Sequence, residues 1–559
     1  MPVKVAVYNQ LYFYHHVGTL CCIIVGIGNI LPRYCAGAEL YPYRGEIWPK
    51  PQYERKDKAV YLVDKDKLEF KVTKQSCQIL TDAIQRAKKT VQKLSKIARR
   101  NYDGQGVDRS SPTLDTVDVQ LTRPCEAYPY HGMDESYNLT VSDTASLTGH
   151  SIWGVLHGLE SFLHLLYQSD DYETLLIQGT KIRDYPRHPH RGLLLDTSRH
   201  YLRVNKLLTT LDAMAMNKLN VFHWHIVDDH SFPYQSEKFP ELSEKGAYHR
   251  SMVYTKADIK KIVEYARDRG IRVIPEIDVP GHVRSWGEAY PQLLTPCYTG
   301  KKVTSLGPLD PTSNHTYKFL GQLLEEVRDW FPDEYLHLGG DEVDHKCWIS
   351  NPSLLRYMMR HNMTSWTKLH SLFIERATPL VGDRKIIVWE EVFDEKVPLS
   401  NDTVVQIWLS AWVQKVNEVL EAGKKALFSS EWYLSVLGYG GDWEKFYNFD
   451  PRMNVTDRTL VHNMIGGEAC MWGEYVDSTN FIQRVWPRAC GIAERLWSEA
   501  SRDDIKDKEL EQPDLEDYSP YNVAETMDHV RRRIEEQACR MLRRGVPAEP
   551  PNGPGFCLV

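Results

Sequence analysis

Two carboxylates stand side by side, Asp341 and Glu342, in the stretch YLHLGGDEVD at 335–344, where an apolar run meets two glycines. Adjacent acids at the end of a buried strand suit general acid–base work, or the acid and nucleophile of a retaining glycosidase. The structural alternative is a helix N-cap. Further polar groups recur at similar junctions: HWHIVDDH carries His223, His225 and Asp228, and IDVPGH carries Asp278 and His282. His-x-His puts two imidazoles on one face of a strand, as a metal-dependent amidohydrolase would need, with Asp228, His282 and Asp341 available to complete a ligand set. Later junctions bring rings and acids instead: Trp389 with Glu390, Trp408, Trp432 with Tyr433, and Trp472 with Glu474. Flat rings stack on the apolar faces of sugars. Arg191, at the start of RGLLLDTS, is open to a ligand contact or a structural ion pair. Acids ringed by tryptophans favour glycoside hydrolysis over a hydrated metal, with a non-catalytic sugar binder as the third reading.

These residues need a frame that brings distant segments to one mouth. From residue 184 onward, near-continuously apolar runs alternate with helical patterns: RGLLLDTS, NVFHWHIVD, IRVIPEID, YLHLGGDE, KIIVWEE, TVVQIW, KALFSSEWYL and MIGGEACMWGE. Between them lie stretches such as KLLTTLDAMAMN, KADIKKIVEYARDRG, TYKFLGQLLEEVRDWF and AWVQKVNEVLEAG, and FIQRVWPRACGIAERLW follows the last. Eight such strands imply a parallel (β/α)8 TIM barrel of the α/β class, whose chemistry collects at the C-terminal strand ends. An open doubly wound sheet is disfavoured because no Gly-rich phosphate loop follows an early strand. Residues 39–183 mix strands (KAVYLVD, KLEFKVT, SYNLTVS) with an amphipathic stretch around Ala83–Ile97 and the run SIWGVLHGLESFLHLLY, and predict a smaller α+β accessory domain. The polar, Gly-rich RNYDGQGVDRSSPTLD predicts an exposed loop, and IRDYPRHPHR the seam to a catalytic domain over 184–559.

The chain has 559 residues and a formal net charge of −7, so no basic excess points to nucleic acid or an anionic membrane. Residues 1–38 combine Lys4, the apolar run VGTLCCIIVGIGNIL and a small-x-small pattern at Ala36 and Ala38, which predicts a cleaved signal peptide rather than a stable membrane anchor. Entry to the secretory pathway, ending in the lysosome or outside the cell, follows. Of 11 cysteines, Cys21, Cys22 and Cys35 lie in this leader. Cys77, Cys125, Cys297, Cys347, Cys539 and Cys557 sit in loop-like or terminal contexts fit for disulfides, while Cys470 and Cys490 lie in apolar segments as free core thiols. Sequons at Asn138, Asn314, Asn362, Asn401 and Asn454 agree with N-glycosylation.

Taken as a set, RGLLLDTSRHYL, MNKLNVFHWHIVDD, HLGGDEVD, ACMWGE and WPRACGIAERLW closely resemble the lysosomal-type β-N-acetylhexosaminidases of glycoside hydrolase family 20; the likeness runs from about Asp184 to the C-terminus and takes in SIWGVLHGLESF. The resemblance implies an exo-acting, retaining, substrate-assisted mechanism, in which the substrate's 2-acetamido oxygen attacks its own anomeric carbon to form an oxazolinium. It implies Glu342 as general acid and base, Asp341 as the acceptor of the acetamido N–H, and Tyr433 as donor to the acetamido oxygen. Trp389, Trp408 and Trp472 would wall the pocket; Arg191 and Glu474 would hold ring hydroxyls; His282 with Asp228 would support Glu342, with Asp278 behind. It also implies the pairs Cys77–Cys125, Cys297–Cys347 and Cys539–Cys557, a glycan substrate, a homodimer, and neither metal nor other cofactor. After WYL the family carries an acidic residue or an Asn-Arg pair that separates neutral from anionic substrates; here Ser435 and Val436 stand there, and activity on neutral terminal β-GlcNAc and β-GalNAc is expected.

Overall fold

The computed structural model describes residues 45–94, 111–169, 174–436, 438, 440–499, 526–551 and 557. The proposed leader and most of the Gly-rich loop lie outside the described residues. Residues 43–559 form one compact unit.

Eight parallel strands close a barrel in chain order: His190–Asp196, Val221–His225, Arg272–Glu276, Tyr335–His337, Lys385–Trp389, Val404–Ile407, Lys425–Phe428 and Met464–Met471, the last pairing with the first. Each lies within one of the eight apolar runs of the sequence, except that the first begins one residue earlier, at His190. Helices Val204–Met216, Lys256–Arg267, Asn314–Trp330 and Trp412–Glu421 follow strands one, two, three and six. The stretch FIQRVWPRACGIAERLW is not one helix but two, Phe481–Val485 and Arg488–Trp497, because Pro487 has no N–H to continue the ladder. A hairpin, Leu294–Thr299 with Lys302–Leu309, follows strand three and has no periodic signal strong enough to foretell it.

The barrel interior is layered. Val221, Ile274, Tyr335, Ile387, Val404, Leu427 and Ile465 form an apolar cluster among themselves. The interior also holds buried His223, Glu276, His337, Gln406 and Glu468. Buried charge is tolerable only when paired and hydrogen-bonded, and here it is: Glu468 meets His190 (2.6 Å), His223 (2.7 Å) and Gln406 (3.0 Å), while Glu276 meets His223 (2.9 Å) and His225 (2.7 Å).

The N-terminal sheet runs Tyr53–Val63, Leu175–Asp184, Tyr137–Val141, Ala145–Gly149, Thr116–Leu121 and Glu69–Lys74, with Leu166–Gln168 beside Leu175–Asp184. Helices Gln78–Leu94 and Ile152–Leu165 contribute to the apolar core it shares. Strands 116–121, 145–149 and 175–184 were not among those expected from sequence. In the first two, apolar positions alternate with half-buried polar ones, the period of a half-buried strand, but over only 6 and 5 residues. The sheet is joined to the barrel by buried polar contacts. Lys218 Nζ donates to Asp184 Oδ2 (2.7 Å) and to the Tyr137 hydroxyl (3.0 Å), and Trp497 Nε1 donates to Asp184 Oδ1 (2.9 Å).

Disulfides join Cys77 to Cys125, Cys297 to Cys347, and Cys539 to Cys557; Cys470 and Cys490 are free and buried. All five sequon asparagines, Asn138, Asn314, Asn362, Asn401 and Asn454, are exposed.

Candidate active site

Strand four is short, ending at His337, and the chain then turns through Gly339 and Gly340 at φ +66° and +98°. Both glycines are required by space as well as by φ. A Cβ on Gly339 would lie 1.7 Å from Asp278 Oδ1, and one on Gly340 2.4 Å from Val392. The Gly340 N–H donates to Asp278 Oδ1 at 2.9 Å, locking this turn to the end of strand three. Glu342 itself adopts φ +46°, a left-handed conformation costly for a side-chain-bearing residue. The turn sends the neighbouring acids to different surroundings. The Asp341 side chain is 10% exposed, whereas the Glu342 side chain is 61% exposed.

His282, also at positive φ (+52°), sits between them. Its Nε2 lies 3.7 Å from Asp341 Oδ2, 3.7 Å from Glu342 Oε2 and 3.9 Å from Asp278 Oδ2, and its Nδ1 is 3.3 Å from Asp228 Oδ1. Burial would lower its pKa, but Asp278, Asp228 and Asp341 outweigh that and push it up to about 11. His282 is therefore a fixed positive charge at physiological pH, not a titrating base. Burial raises Asp278 to about 6 against the opposing charge of His282. Burial, then the charge of Asp278, raises Asp341 well above the usual carboxylate range. Burial also acts to raise Asp228, but hydrogen bonds from His225, His230 and His282 hold it well below that range.

The rings form a box on the other side. Trp389, Trp408, Trp472 and Tyr433 cluster with Leu194 and Cys470. Ring centroids are 6.4 Å apart for Trp389–Trp408, 6.0 Å for Trp389–Trp472 and 6.1 Å for Trp408–Tyr433, the last pair near-parallel at 21°. Trp389 Nε1 donates to Glu276 Oε1 (2.8 Å), which ties the box to the polar barrel interior. Burial holds the Tyr433 phenol well above its usual pKa, so it stays a hydroxyl donor. Trp432, its neighbour, is wholly buried core. Glu474 is exposed, next to Gly473, whose N–H donates to Asp196 Oδ2 (2.9 Å). Ser435 is half-buried and Val436 exposed; with Trp472, Tyr475, Arg484 and Arg488 they line a shallow hollow beside the box.

Arg191 is not at this mouth. It occupies the second position of strand one, five residues before Asp196, or about 16 Å along the strand toward the opposite end of the barrel. It is fully buried, with Nη1 and Nη2 on Glu135 (3.0 and 2.5 Å), Nη1 on the His188 carbonyl (2.7 Å) and Nε on that of Lys218 (2.8 Å). The expectation that it holds sugar hydroxyls is overturned, because strand polarity sends it to the seam with the N-terminal sheet. The guanidinium at the mouth is Arg199, just beyond strand one. It pairs with Asp196 (3.1 Å) and Asp228 (3.0 Å), lies over the Trp472 ring at 5.1 Å, and has a buried Nε without a hydrogen-bond partner. It was legible in DTSRHYL, where it directly follows a strand end.

Glu391 was also missed. Of the WEE pair, Glu390 accepts the main-chain N–H of Trp408 (2.7 Å) and Leu409 (3.0 Å), a structural duty. Glu391 accepts Trp408 Nε1–H (2.9 Å), and burial, then the charge of Asp341, pushes it up to about 8. The HWH histidines are engaged on both ring nitrogens: His223 by Glu468 and Glu276, and His225 by Glu276 and Asp228 (2.7 Å). His223, Glu276 and His337, and likewise Asp278, His282 and Asp341, are close enough to hold an ion. In the first set Glu276 already accepts from His223 at 2.9 Å, and in the second the His282 imidazolium faces both carboxylates at 3.7 and 3.9 Å.

The model of "Glycosyl hydrolase family 20, catalytic domain" matches residues 188–500, and that of "beta-acetyl hexosaminidase like" matches 47–165. The chain is 40% identical over 528 residues to beta-hexosaminidase subunit alpha of Rattus norvegicus, covering 91% of this chain and 94% of the relative. It is 45% identical over 447 residues to beta-hexosaminidase subunit beta of Homo sapiens, covering 79% and 76%. Among solved structures it is similar to a chitobiase of Flavobacterium johnsoniae, with a TM-score of 0.75 and 28% identity over 90% of this chain and 73% of the other. The barrel, the mouth of acids and tryptophans, and these matches agree: the chain belongs to glycosyl hydrolase family 20 and is an enzyme of the β-hexosaminidase class.

Proposed function

We propose that this hydrolase releases terminal β-GlcNAc and β-GalNAc with Glu342 and Asp341 in separate roles. The observation that carries the assignment is their divergence: one acid is buried and one exposed, at adjacent positions flanking His282. Glu342 protonates the leaving oxygen as the acetamido oxygen bonds to the anomeric carbon and the glycosidic bond breaks. Asp341 accepts the acetamido N–H; that new donor favours its carboxylate form and offsets the burial that raises its pKa. Tyr433 donates to the acetamido oxygen. Glu342, now a carboxylate, takes a proton from water as the water oxygen bonds to the same carbon and the oxazolinium opens. The His282 imidazolium, steadied by Asp228, counters the carboxylates without exchanging its proton. Trp389, Trp408 and Trp472 hold the N-acetyl group and the sugar face, and Arg199 with Glu474 engages outer hydroxyls.

An aryl β-GlcNAc assay tests this. Wild type releases the aryl alcohol, and Glu342→Gln loses about 10²–10⁴ in kcat. Release of acetate in place of the aryl alcohol would favour the amidohydrolase reading.

The hollow at Ser435 and Val436 has neither the family's acid nor its arginine at those two positions, which supports neutral substrates. A clear preference for a 6-sulfated over a neutral aryl glycoside would overturn this. Exposed sequons and three disulfides support passage through the secretory pathway, to the lysosome or the outside. Glycoconjugate glycans are the substrates that fit such a route. A homodimer, checked by light scattering, follows from the resemblance alone.

A further inference from the structure

Behind the catalytic turn lies a cluster that the hydrolysis does not use. His345 opens the helix His345–Ser350, whose N-cap Asp344 follows Glu342 by two residues. His370 belongs to the helix Thr367–Ala377, and Glu395 is the C-cap of the helix Glu390–Asp394, which carries Glu391. Three separate segments therefore deliver one side chain each to a single point.

We propose that His345, His370 and Glu395 form a binding site for a divalent transition-metal ion, zinc being the metal that a two-imidazole, one-carboxylate set suits best. One ligand atom from each residue lies within 4.8 Å of the others. His345 Nε2 is 3.2 Å from Glu395 Oε1, and His370 Nδ1 is 2.5 Å from Glu395 Oε2. Ligands about 2.0–2.1 Å from a tetrahedral zinc stand about 3.3 Å apart. These contacts use different oxygens of Glu395; the His345 pair is already at that spacing, and the His370 pair needs to open by about 0.8 Å, with the carboxylate turning so that one oxygen serves both.

Charge points the same way. Among the described residues, Glu395 forms ion pairs with these two histidines and with no lysine or arginine. Its countercharge must be imidazolium or a bound cation. His370 is fully buried; its Nδ1 and His345 Nε2 face Glu395, while the opposite nitrogens, His370 Nε2 and His345 Nδ1, have no hydrogen-bond partner and so do not fix a tautomer that keeps the facing nitrogens from ligating. His345 stacks on Trp366 with ring centroids 3.5 Å apart, which fixes its plane. Its side chain is 18% exposed, leaving a route of entry.

The position gives such an ion a structural consequence. His370 Nε2 lies 3.8 Å from where a Cβ on Gly340 would stand. An ion bridging the three helices would brace the 339–344 turn and Glu391 from behind, without touching substrate.

Equilibrium dialysis of the full chain against Zn²⁺ at neutral pH tests this. The expected result is one more bound equivalent in wild type than in His345→Phe, which keeps the stack on Trp366, and than in Glu395→Gln, which keeps a hydrogen-bonding carbonyl. Co²⁺ substituted for zinc should give visible d–d bands in wild type that both variants lose. Because the ion-sized clusters at the barrel mouth stay intact in these variants, their zinc cancels in the difference. Equal zinc stoichiometry in wild type and folded His345→Phe, as judged by circular dichroism, would overturn the proposal. So would cobalt spectra that do not differ between wild type and Glu395→Gln.

Discussion

Replacing Arg191 and Arg199 by methionine separately distinguishes the two ends of the barrel. Arg191 is fully buried and makes two hydrogen bonds to Glu135 and two to main-chain carbonyls. Burial acts to raise the Glu135 pKa, yet Arg191 and His157 hold it below its usual value. Methionine fills much of the volume but leaves a buried carboxylate with His157 and Asn220 as partners. Breaking a buried pair in this way costs about 3–5 kcal/mol, and the remaining partners favour the lower end. An unfolding entropy of about 2.1 cal/mol/K per residue gives about 1.2 kcal/mol/K for a chain of this size, so Tm should fall by about 3 °C. KM and kcat for an aryl β-GlcNAc at a temperature where both proteins are folded should stay within twofold. Arg199→Met strips a guanidinium from the buried Asp196 and Asp228 and should also lower Tm, but it alone should raise KM at least tenfold, through lost sugar contacts of about 1.5 kcal/mol or more. Paired thermal melts and steady-state kinetics read both effects. A raised KM with unchanged Tm in Arg191→Met would refute the assignment of that residue to the seam.

Asp341→Asn should lower kcat by about 10²-fold or more with N-acetyl substrates while Glu342 remains to protonate, since what is lost is the orientation of the acetamido nucleophile; aryl glycosides graded by leaving-group acidity separate the two acids, because only Glu342→Gln should become steeply dependent on the leaving group. Glu391, raised to about 8 from 4.5 by burial and the charge of Asp341, keeps a proton in the folded protein that the unfolded chain has released. It therefore favours folding less as pH rises through the window from about 4.5 to about 8. Melts of Glu391→Gln at pH 5 and pH 8 should show a smaller loss across that interval than wild type, and an equal or larger loss contradicts the assignment. Gly339→Ala drives a methyl to 1.7 Å from Asp278 Oδ1 in a turn at φ +66°; kcat should fall by at least tenfold with Tm reduced, and full activity would mean that the turn does not hold Asp278 and Asp341 in place.

Much of the architecture was readable because it rests on local pattern. A strand buried on both faces must be apolar along its length, so eight runs separated by helical periodicity allowed little besides a parallel barrel. Helix splitting at Pro487 and the alternating strands 116–121 and 145–149 escaped, the first because an apolar stripe continued across the break and the others because their alternation spans only 6 and 5 residues.

For the site, the sequence alone determined the inventory: the acids after Gly-Gly, the tryptophans at strand ends, and the six cysteines set apart for pairing. Residue type and spacing carry that information, since chemistry needs those groups and a strand end delivers them. Only the tertiary structure decided which arginine faces the mouth, which glutamate of the WEE pair is structural, and that the HWH imidazoles are already paired with Glu468, Glu276 and Asp228. The physical reason is that these distinctions depend on strand polarity and, apart from the local His225–Asp228 pair, on partners about 17 to 245 residues away in sequence, brought together by closure of the barrel.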